Sequence, residues 1–384
     1  MFKNSFQLYL QPKALIMFVM GFASGLPLAL TASTLAAYFT ESSVSLIDIG
    51  LLSLAGQPYI FKFLWAPLLD RYHLKFLDHR LGNIFAFQIA LIALIFTLSL
   101  FNPYHHIYLM IGIATVIAFF SASQDMMINA YQVEILESDE RGMGSAMYVF
   151  GYRIALLLAS AAALILASHI GFQYTYRIMA LCMLPAILAT LIAPKLKQKD
   201  KNRTSKSLAQ TFIEPIKELT QRYTKSCLLL LLICIILYKL GDAFTLSLST
   251  TFLLRYLHFS MTDLALANKT LGLIATIFGG LAGGLLLNRM RLYPALILCG
   301  ILQAVSNLGF MLLAYIGHNY NVMLIVISIE AFFSGMGTCA FMALLMKITQ
   351  KEFAASQFAI FTALSSLGRV YIGPIAAVWV LHIG

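Results

Sequence analysis

Charged side chains are scarce in this 384-residue chain. Only 11% of the residues are Asp, Glu, Lys or Arg, whereas 60% are hydrophobic and the mean hydropathy is +0.84. A soluble domain carries about 25% charged residues, so the composition excludes an ordinary water-soluble protein. Apolar runs of about 20 residues or more, the length that crosses a bilayer as a helix, recur along the chain. The sequence therefore predicts an all-α membrane protein.

Catalytic and cofactor motifs are also lacking. The chain has no GxxxxGK[ST] loop, no HExxH and no GxSxG pattern, which argues against an ATP-driven pump and against a hydrolytic enzyme. Its five cysteines lie in apolar segments without metal-ligand or CxxC spacing, and we interpret them as small hydrophobic residues. We expect no metal, no cofactor and no enzymatic activity.

Eleven membrane-spanning helices are predicted, because lipid offers backbone groups no partners and the alternation typical of a β-barrel is absent. They cover residues 14–38, 46–69, 82–101, 106–134, 142–168, 173–193, 227–254, 263–288, 292–316, 320–347 and 354–382. Nineteen of the 26 Lys and Arg residues lie in the N-terminal tail, at the last residue of an even-numbered span or in the connections that follow even-numbered spans. Basic connections stay in the cytoplasm, so we predict a cytoplasmic N-terminus. The net charge of +10 is thus a signal of topology, and we expect no nucleic-acid partner.

The connection 194–226 divides the chain into an N-terminal bundle of six spans (1–193) and a C-terminal bundle of five (227–384). It holds nine Lys or Arg against three acidic residues, so we predict a cytoplasmic basic linker. Within it, "SLAQTFIEPIKELTQRY" (207–223) is amphipathic and is expected to lie along the membrane surface, although the preceding run "KLKQKDKNRTSK" is also typical of a solvated linker.

The two halves share motifs at a nearly constant spacing. "WAPLLDR" is similar to "GGLLLNR", and "FGYR" is similar to "SLGR", each pair being about 218 residues apart. Parallel repeats of this kind build transporters whose substrate site lies between the repeats near the midplane. We therefore predict two pseudo-symmetric bundles that enclose a substrate site.

Ionisable residues inside the predicted spans are the candidates for function, because each raises the insertion free energy by at least about 2.5–3.5 kcal/mol. There are eight: Lys62, Asp125, Arg153, Lys239, Asp242, Lys269, Glu330 and Arg369. Depth along each helix, at about 1.5 Å per residue, places Asp125 level with Arg153 and Glu330 level with Arg369. We predict that these four residues form two ion pairs.

Lys239 and Asp242 lie three residues apart on one helical face and partly neutralise each other. Two interpretations are open: the pair only holds helices together, or it lines a cavity for a solute. Five of the eight intramembrane groups are cationic, and this surplus favours a cavity for an anionic solute at Lys62, Lys239 and Lys269.

A proton gradient would require an intramembrane group that carries the proton. All eight histidines lie in connections or near helix ends, so the candidates are the carboxylates of Asp125 and Glu330. An Arg153 partner opposes protonation of Asp125, so that pair would have to separate during transport.

Seven segments stand out in order along the chain: "GFASGLPLAL", "GQPYIFKFLWAPLLDR", "SASQDMMINAY", "ERGMGSAMYVFGYR", "LYKLGDAF", "NKTLGLIATIFGG" and "FAASQFAIFTALSSLGRVYIGP". Together they resemble the AmpG muropeptide permeases of the major facilitator superfamily. The resemblance implies import of N-acetylglucosaminyl-1,6-anhydro-N-acetylmuramic acid and its peptides across the bacterial inner membrane. In that family, import serves cell-wall recycling and is driven by proton symport. Such sugar-peptides carry carboxylates, which agrees with the cationic surplus, and we expect a monomer.

The resemblance also implies roles for individual residues. Gln124 and Asn268 join the intramembrane Lys62, Lys239, Asp242 and Lys269 as substrate contacts. Asp70 and Arg71 are similar to the cytoplasmic gating motif of the superfamily. In that motif the carboxylate of Asp70 would contact a neighbouring helix end in one state and release it in another.

Two features depart from the family pattern. Asn129 replaces the second acid of "QDxxxDAY", so Asp125 would carry the proton alone or coupling would differ. Superfamily members have twelve helices, whereas this sequence stops after its eleventh predicted span, either because it was trimmed or because helix 12 is naturally absent. Two alternative functions stay open: a permease for another bulky anion such as acetyl-CoA, and a non-transporting membrane sensor or scaffold.

Overall fold

A computed structural model describes residues 8–366 apart from 43, 45–47, 49–50, 73, 75–76, 197–206, 261–262 and 265–266. The helices follow one another as α1 (Pro12–Glu41), α2 (short pieces over 53–71), α3 (Leu81–Leu98), α4 (Pro103–Ile135), α5 (Arg141–Ile170), α6 (Phe172–Ile192), the linker helix (Leu208–Arg222), α7 (Lys225–Thr251), α8 (Thr270–Arg289), α9 (Leu292–Ile316), α10 (Tyr320–Ile348) and α11 (354–366). Within the described residues, nine of these are long and apolar enough to cross a membrane, namely α1 and α3 to α10. The predicted all-helical membrane fold is confirmed.

The second predicted span, 46–69, is not one continuous helix. Its described part consists of Ser53–Gly56, Gln57–Phe61, Lys62–Leu64 and Ala66–Arg71. Pro58 and Pro67 each stand in the first turn of a new piece, since a residue without an N–H donor is tolerated there and breaks a helix elsewhere. The eleventh predicted span is helical over 354–366, and its remainder lies outside the described residues. The prediction of eleven spans therefore stays a prediction.

A π-helical turn, which is a wider turn often found at functional sites, interrupts the interior of α1 and of α5. In α1 this turn is Leu30–Thr34, and it follows Pro27, which lacks an N–H donor. In α5 it is Leu158–Ala162. The Thr34 hydroxyl donates a hydrogen bond to the carbonyl oxygen of Ala159, so the two wide turns touch.

Glycine allows α1 to approach α5 closely. A Cβ atom at Gly21 would overlap the backbone carbonyl group of Tyr148, so at this point the two helices meet through main-chain atoms. Small residues serve this purpose in membrane helices, where close packing replaces the hydrophobic effect as the main attraction. The contact fixes the face of α5 that carries Tyr148.

The chain divides into two compact units. The first comprises Met1–Glu137, Met147–Pro215 and Thr349–Ala359, and the second comprises Ser138–Ala146, Ile216–Ile348 and Ile360–Gly384. In the first unit, buried side chains of α1, α3, α4, α5 and α6 form the main core. In the second unit, a core cluster gathers around Leu253, Ala267, Leu313 and Ile327.

Candidate functional site

Asp125 of α4 lies at the centre of a buried polar cluster in the first unit. Lys62 Nζ lies 2.7 Å from its Oδ2 atom, and the Tyr148 hydroxyl of α5 donates to its Oδ1 atom over 2.5 Å. Lys62 is only 8% exposed, because the break between short pieces of α2 turns its side chain toward α4. Both carboxylate oxygens of Asp125 are thus held by protein groups.

The predicted pair between Asp125 and Arg153 is wrong. Asp125 pairs with Lys62 instead, and the buried Nε atom of Arg153 has no hydrogen-bond partner among the described residues. The estimate of depth along the helix takes no account of rotation about the helix axis. Tyr148, which does reach Asp125, precedes Arg153 by five residues, and that separation turns the two side chains about 140° apart at about 100° per residue. The other predicted pair, Glu330 with Arg369, cannot be placed because Arg369 lies outside the described residues.

Two further polar residues flank Asp125 on α4. Gln124 is fully buried, and both side-chain amide atoms have no hydrogen-bond partner within the described part of the chain. Asn129, which replaces the second acid of the family motif, donates from Nδ2 to the backbone carbonyl of Asp125 over 2.8 Å. An ionised aspartate could not donate that bond, so the substitution changes the local hydrogen bonding as well as the charge.

A second cluster surrounds Lys239 and Asp242 of α7, in the second unit. Lys239 Nζ lies 2.7 Å from Asp242 Oδ2 and donates to Thr338 Oγ1 of α10 over 2.9 Å. Asp242 Oδ1 accepts from Gln303 Nε2 of α9 and from Ser334 Oγ of α10, the latter over 3.1 Å. The predicted proximity of Lys239 and Asp242 is therefore present. Neutral side chains of α9 and α10 form the remaining hydrogen bonds of both residues.

These neutral partners were missed by the sequence analysis, because a census of charged residues ignores Gln, Ser, Thr and Tyr. A signal did exist. Ser334 and Thr338 are four residues apart and so share one face of α10. Gln303 lies with Ser306 and Asn307 in a short polar stretch in the middle of α9. An aromatic ring also lies beside this cluster. Lys239 Nζ is 5.5 Å from the ring centroid of Phe341, as in a cation–π contact.

The remaining predicted contacts are less completely described. Asn268 and Lys269 belong to the π-helical turn Ala267–Gly272, and their side chains lie outside the described part. Glu330 is half-buried in α10. It precedes Ser334 by one turn on the same face of the helix and lies close enough to Asp242 for the two charges to interact.

The distribution of charge among the eight intramembrane groups differs from the prediction at Lys62. Lys239 pairs with Asp242 as predicted, whereas Lys62, which was expected to be a cation lining the cavity, is paired with Asp125. Setting those two neutral pairs aside leaves Arg153, Lys269 and Arg369 against Glu330. The formal surplus is still two positive charges, but it now depends on Arg153 and not on Lys62.

Asp70, predicted from the resemblance as a gating residue, lies at the N-terminus of α11. Its Oδ1 atom accepts from the backbone N–H of Ala355 over 3.1 Å, and its Oδ2 atom accepts from the N–H of Ser356 over 2.8 Å and from the Ser356 hydroxyl over 2.5 Å. The first N–H groups of a helix have no partner within it and carry a partial positive charge, so a carboxylate is stabilised there. We refer to these contacts as the Asp70 cap.

Arg80 supports the Asp70 cap from the other side, and sequence analysis did not single it out. Arg80 Nη2 lies 2.8 Å from Asp70 Oδ1 and 2.8 Å from Glu134 Oε1, and His79 lies 3.0 Å from the same glutamate. Burial alone lowers the pKa of the fully buried Arg80, but Asp70 and Glu134 together raise it above its ordinary value. Arg71, the other predicted gating residue, instead donates to Thr211 of the linker helix over 3.0 Å.

Comparison with known proteins defines the class. Residues 14–373 match the Major Facilitator Superfamily. The chain also shares the fold of the E. coli fucose:proton symporter, with a TM-score of 0.72 at 14% identity over 96% of this chain and 92% of that one. It is a multi-pass membrane transporter and not an enzyme.

Sequence relatives narrow the class further. The chain is 44% identical to the anhydromuropeptide permease of E. coli K12 over 371 residues, covering 96% of this chain and 74% of that protein. It is 30% identical to a putative transporter AmpG 1 of Rickettsia bellii, covering 96% of this chain and 92% of the relative. The chain therefore belongs to the AmpG permease family within that superfamily, which confirms the resemblance.

Proposed function

We propose that this protein imports anhydromuropeptides, the anhydro-disaccharide and its peptides, across the bacterial inner membrane by proton symport. The observation that carries the proposal is the 44% identity, over 96% of the chain, to a protein named as an anhydromuropeptide permease. The formal surplus of two cations inside the predicted spans supports it, because these substrates carry carboxylates. The basic connection 194–226 supports a cytoplasmic linker and N-terminus, and we propose that the protein acts as a monomer.

We propose that the substrate is bound by Lys62, Gln124, Lys239, Asp242, Asn268 and Lys269, and we add Arg153. Two observations support these roles. The amide group of Gln124 is buried without a partner in the described structure, and a buried polar group of this kind raises the free energy until a ligand satisfies it. Arg153 has no carboxylate partner among the described residues, so its charge is available for an anionic group of the substrate.

Asp125 and Glu330 are the proposed proton carriers, and the geometry of Asp125 suggests how protons couple to substrate. Protonation of Asp125 would remove the negative charge that holds Lys62 at 2.7 Å. Lys62 would then be a buried cation without a partner, and a carboxylate of the substrate could take that place. Release of the proton would restore the ion pair and displace the substrate.

Asp70 is the proposed gating residue, with Arg71 beside it. Its carboxylate is shared between Arg80 and the N-terminus of α11. In our proposal the α11 contacts form in one state of the transport cycle and separate in another, while the Arg80 pair keeps the carboxylate from being left unpaired in the low-dielectric interior.

Uptake of labelled anhydro-disaccharide tripeptide into spheroplasts that lack their own permease tests the proposed function. We expect accumulation that collapses with an uncoupler and is competed by other muropeptides but not by acetyl-CoA. Competition by acetyl-CoA would instead indicate a permease for another bulky anion. Absence of any accumulation, with the protein present in the membrane, would contradict transport.

A variant pair tests the coupling residue. Asp125→Asn should abolish accumulation but retain exchange of preloaded substrate, because exchange needs no net proton movement. A purely structural role of Asp125 would abolish both processes. The Asn129→Asp variant, which restores the second acid of the family motif, tests whether that acid increases proton-driven accumulation.

A further inference from the structure

The linker helix Leu208–Arg222 has three distinct faces. Pro215 and Leu219 are buried against the protein, whereas Phe212, Ile213 and Ile216 are 40%, 58% and 55% exposed. At about 100° per residue, these three exposed apolar residues form a stripe about 100° wide. We refer to them as the apolar stripe. Exposed polar residues, including Lys217 and Gln221, continue around the helix from it.

The surroundings of the apolar stripe favour a lipid surface. Only Tyr223 and Thr224 separate the end of the linker helix from α7, so that end is tethered where a membrane-spanning helix begins. The basic run at 195–206 precedes the helix and holds six Lys or Arg against one Asp. An amphipathic helix with adjoining basic residues is the arrangement that binds the headgroup region of anionic bilayers.

The opposite side of the linker helix contacts the Asp70 cap. Arg71, next to Asp70, donates to Thr211 of the helix over 3.0 Å. Gln357, next to Ser356, donates to the carbonyl oxygen of Pro215 over 3.2 Å. The linker helix therefore contacts the residue that follows Asp70 and the residue that follows Ser356. One cleft is lined by Asp70, Arg71, Thr211 and Ser356.

We propose that the apolar stripe binds the anionic phospholipid surface, and that this binding stabilises the Asp70 cap. A linker helix bound to the bilayer keeps Thr211 and Pro215 in place. Their hydrogen bonds then hold the end of α2 and the start of α11, the two segments that the Asp70 cap joins. Anionic lipid thus favours the capped state of α11. The regulatory part of this inference rests on the gating role proposed above, whereas lipid binding by the stripe does not.

Quenching of tryptophan fluorescence by brominated lipid tests where the helix lies. Ile213→Trp places the probe in the apolar stripe, and Gln221→Trp is the matched control on the polar face. In bilayers of brominated phosphatidylglycerol, we expect quenching beyond that of the wild-type Trp65 and Trp379 only for Ile213→Trp. Equal quenching at the two positions overturns lipid binding by the stripe. Protection of Ile213→Trp from lipid, with cross-linking between two copies, would assign the stripe to a protein interface and also overturn the proposal.

Hydrogen exchange of a peptide that contains Ala355 and Ser356 tests the effect on the cap. We expect exchange to be about fivefold slower in phosphatidylglycerol nanodiscs than in phosphatidylcholine nanodiscs. A fivefold change corresponds to the attraction of about one basic residue to an anionic surface. The double variant Ile213→Asn with Ile216→Asn should lose this lipid dependence, since it keeps Thr211 and Pro215 but removes the stripe. Exchange that is independent of lipid charge in the wild type overturns the stabilising role. Neither measurement involves transport, so these results stand apart from the uptake assay.

Discussion

Single residues explain why two charges are tolerated in each polar cluster. The carboxylates of Asp125 and Asp242 each receive one lysine, and their other oxygens receive hydroxyl or amide donors from neighbouring helices. The attraction within a buried ion pair is largely offset by the loss of hydration of both groups. Such a pair therefore adds little to the free energy of unfolding. Stability alone thus does not account for these pairs, which agrees with the transport roles proposed above.

Removal of one member of the first pair should be more harmful than removal of both. Lys62→Ala leaves a buried carboxylate uncompensated, and we expect a loss of about 3–5 kcal/mol in the free energy of unfolding. In an Asp125→Asn background the same change should matter much less, with a coupling free energy of about 0.5–3 kcal/mol. Thermal unfolding of the four purified proteins in detergent measures this coupling.

Arg153→Ala is the matched control for this cycle. Because Arg153 does not pair with Asp125, its replacement should have the same effect in both backgrounds. A coupling between Arg153 and Asp125 as large as that of Lys62 would contradict the described contacts.

At the scale of helices, the contact between α1 and α5 depends on Gly21. We expect Gly21→Ala to lower the melting temperature, because its methyl group overlaps the carbonyl of Tyr148 and the helices must separate. Gly112→Ala in α4 is the control, since a Cβ atom there has no heavy atom within 4 Å. Equal melting temperatures for the two variants would show that α1 and α5 do not approach through main-chain atoms.

The connection between α2 and α4 depends on Arg80. Arg80→Met leaves the Asp70 and Glu134 side chains, 7% and 5% exposed, without their shared cation. We expect a loss of about 3–5 kcal/mol in the free energy of unfolding. Arg80→Lys should recover only part of it, because an ammonium group cannot reproduce the planar fork of the guanidinium.

Arg71→Met provides the comparison for Arg80→Met. Arg71 carries the same charge but contacts a neutral hydroxyl of Thr211, so its loss should change the melting temperature only slightly. A loss equal to that of Arg80→Met would indicate that any cation near α2 suffices.

At the scale of the whole molecule, the distribution of basic residues predicts which connections face the cytoplasm. With the five native cysteines replaced, Ser207→Cys in the exposed start of the linker should react with an impermeant maleimide only after cells are opened. His105→Cys, exposed near the start of α4, should react in intact cells. The reverse pattern would overturn the predicted topology.

Sequence reasoning was most successful where a property depends on composition or on the order of motifs. Long apolar runs predicted nine helices within a few residues, and quoted segments such as "LYKLGDAF" identified the family. Contacts between side chains of different helices were harder to predict. Counting residues estimates how far along a helix a side chain lies, but it does not give the rotation of the helix or its packing. Arg153 was therefore paired wrongly, and Gln303 and Tyr148 were missed because neutral residues carry no charge signal.

The paired wide turns of α1 and α5 have a consequence for changes in chain length. A π-helical turn is equivalent to one extra residue inserted into an α-helix. Deleting one residue within Leu30–Thr34 would return α1 to a regular helix while Leu35–Glu41 keeps its orientation, whereas the same deletion elsewhere would rotate everything beyond it by about 100°. This turn is accordingly the place where α1 can lose a single amino acid during evolution and still present the same side chains to its neighbours.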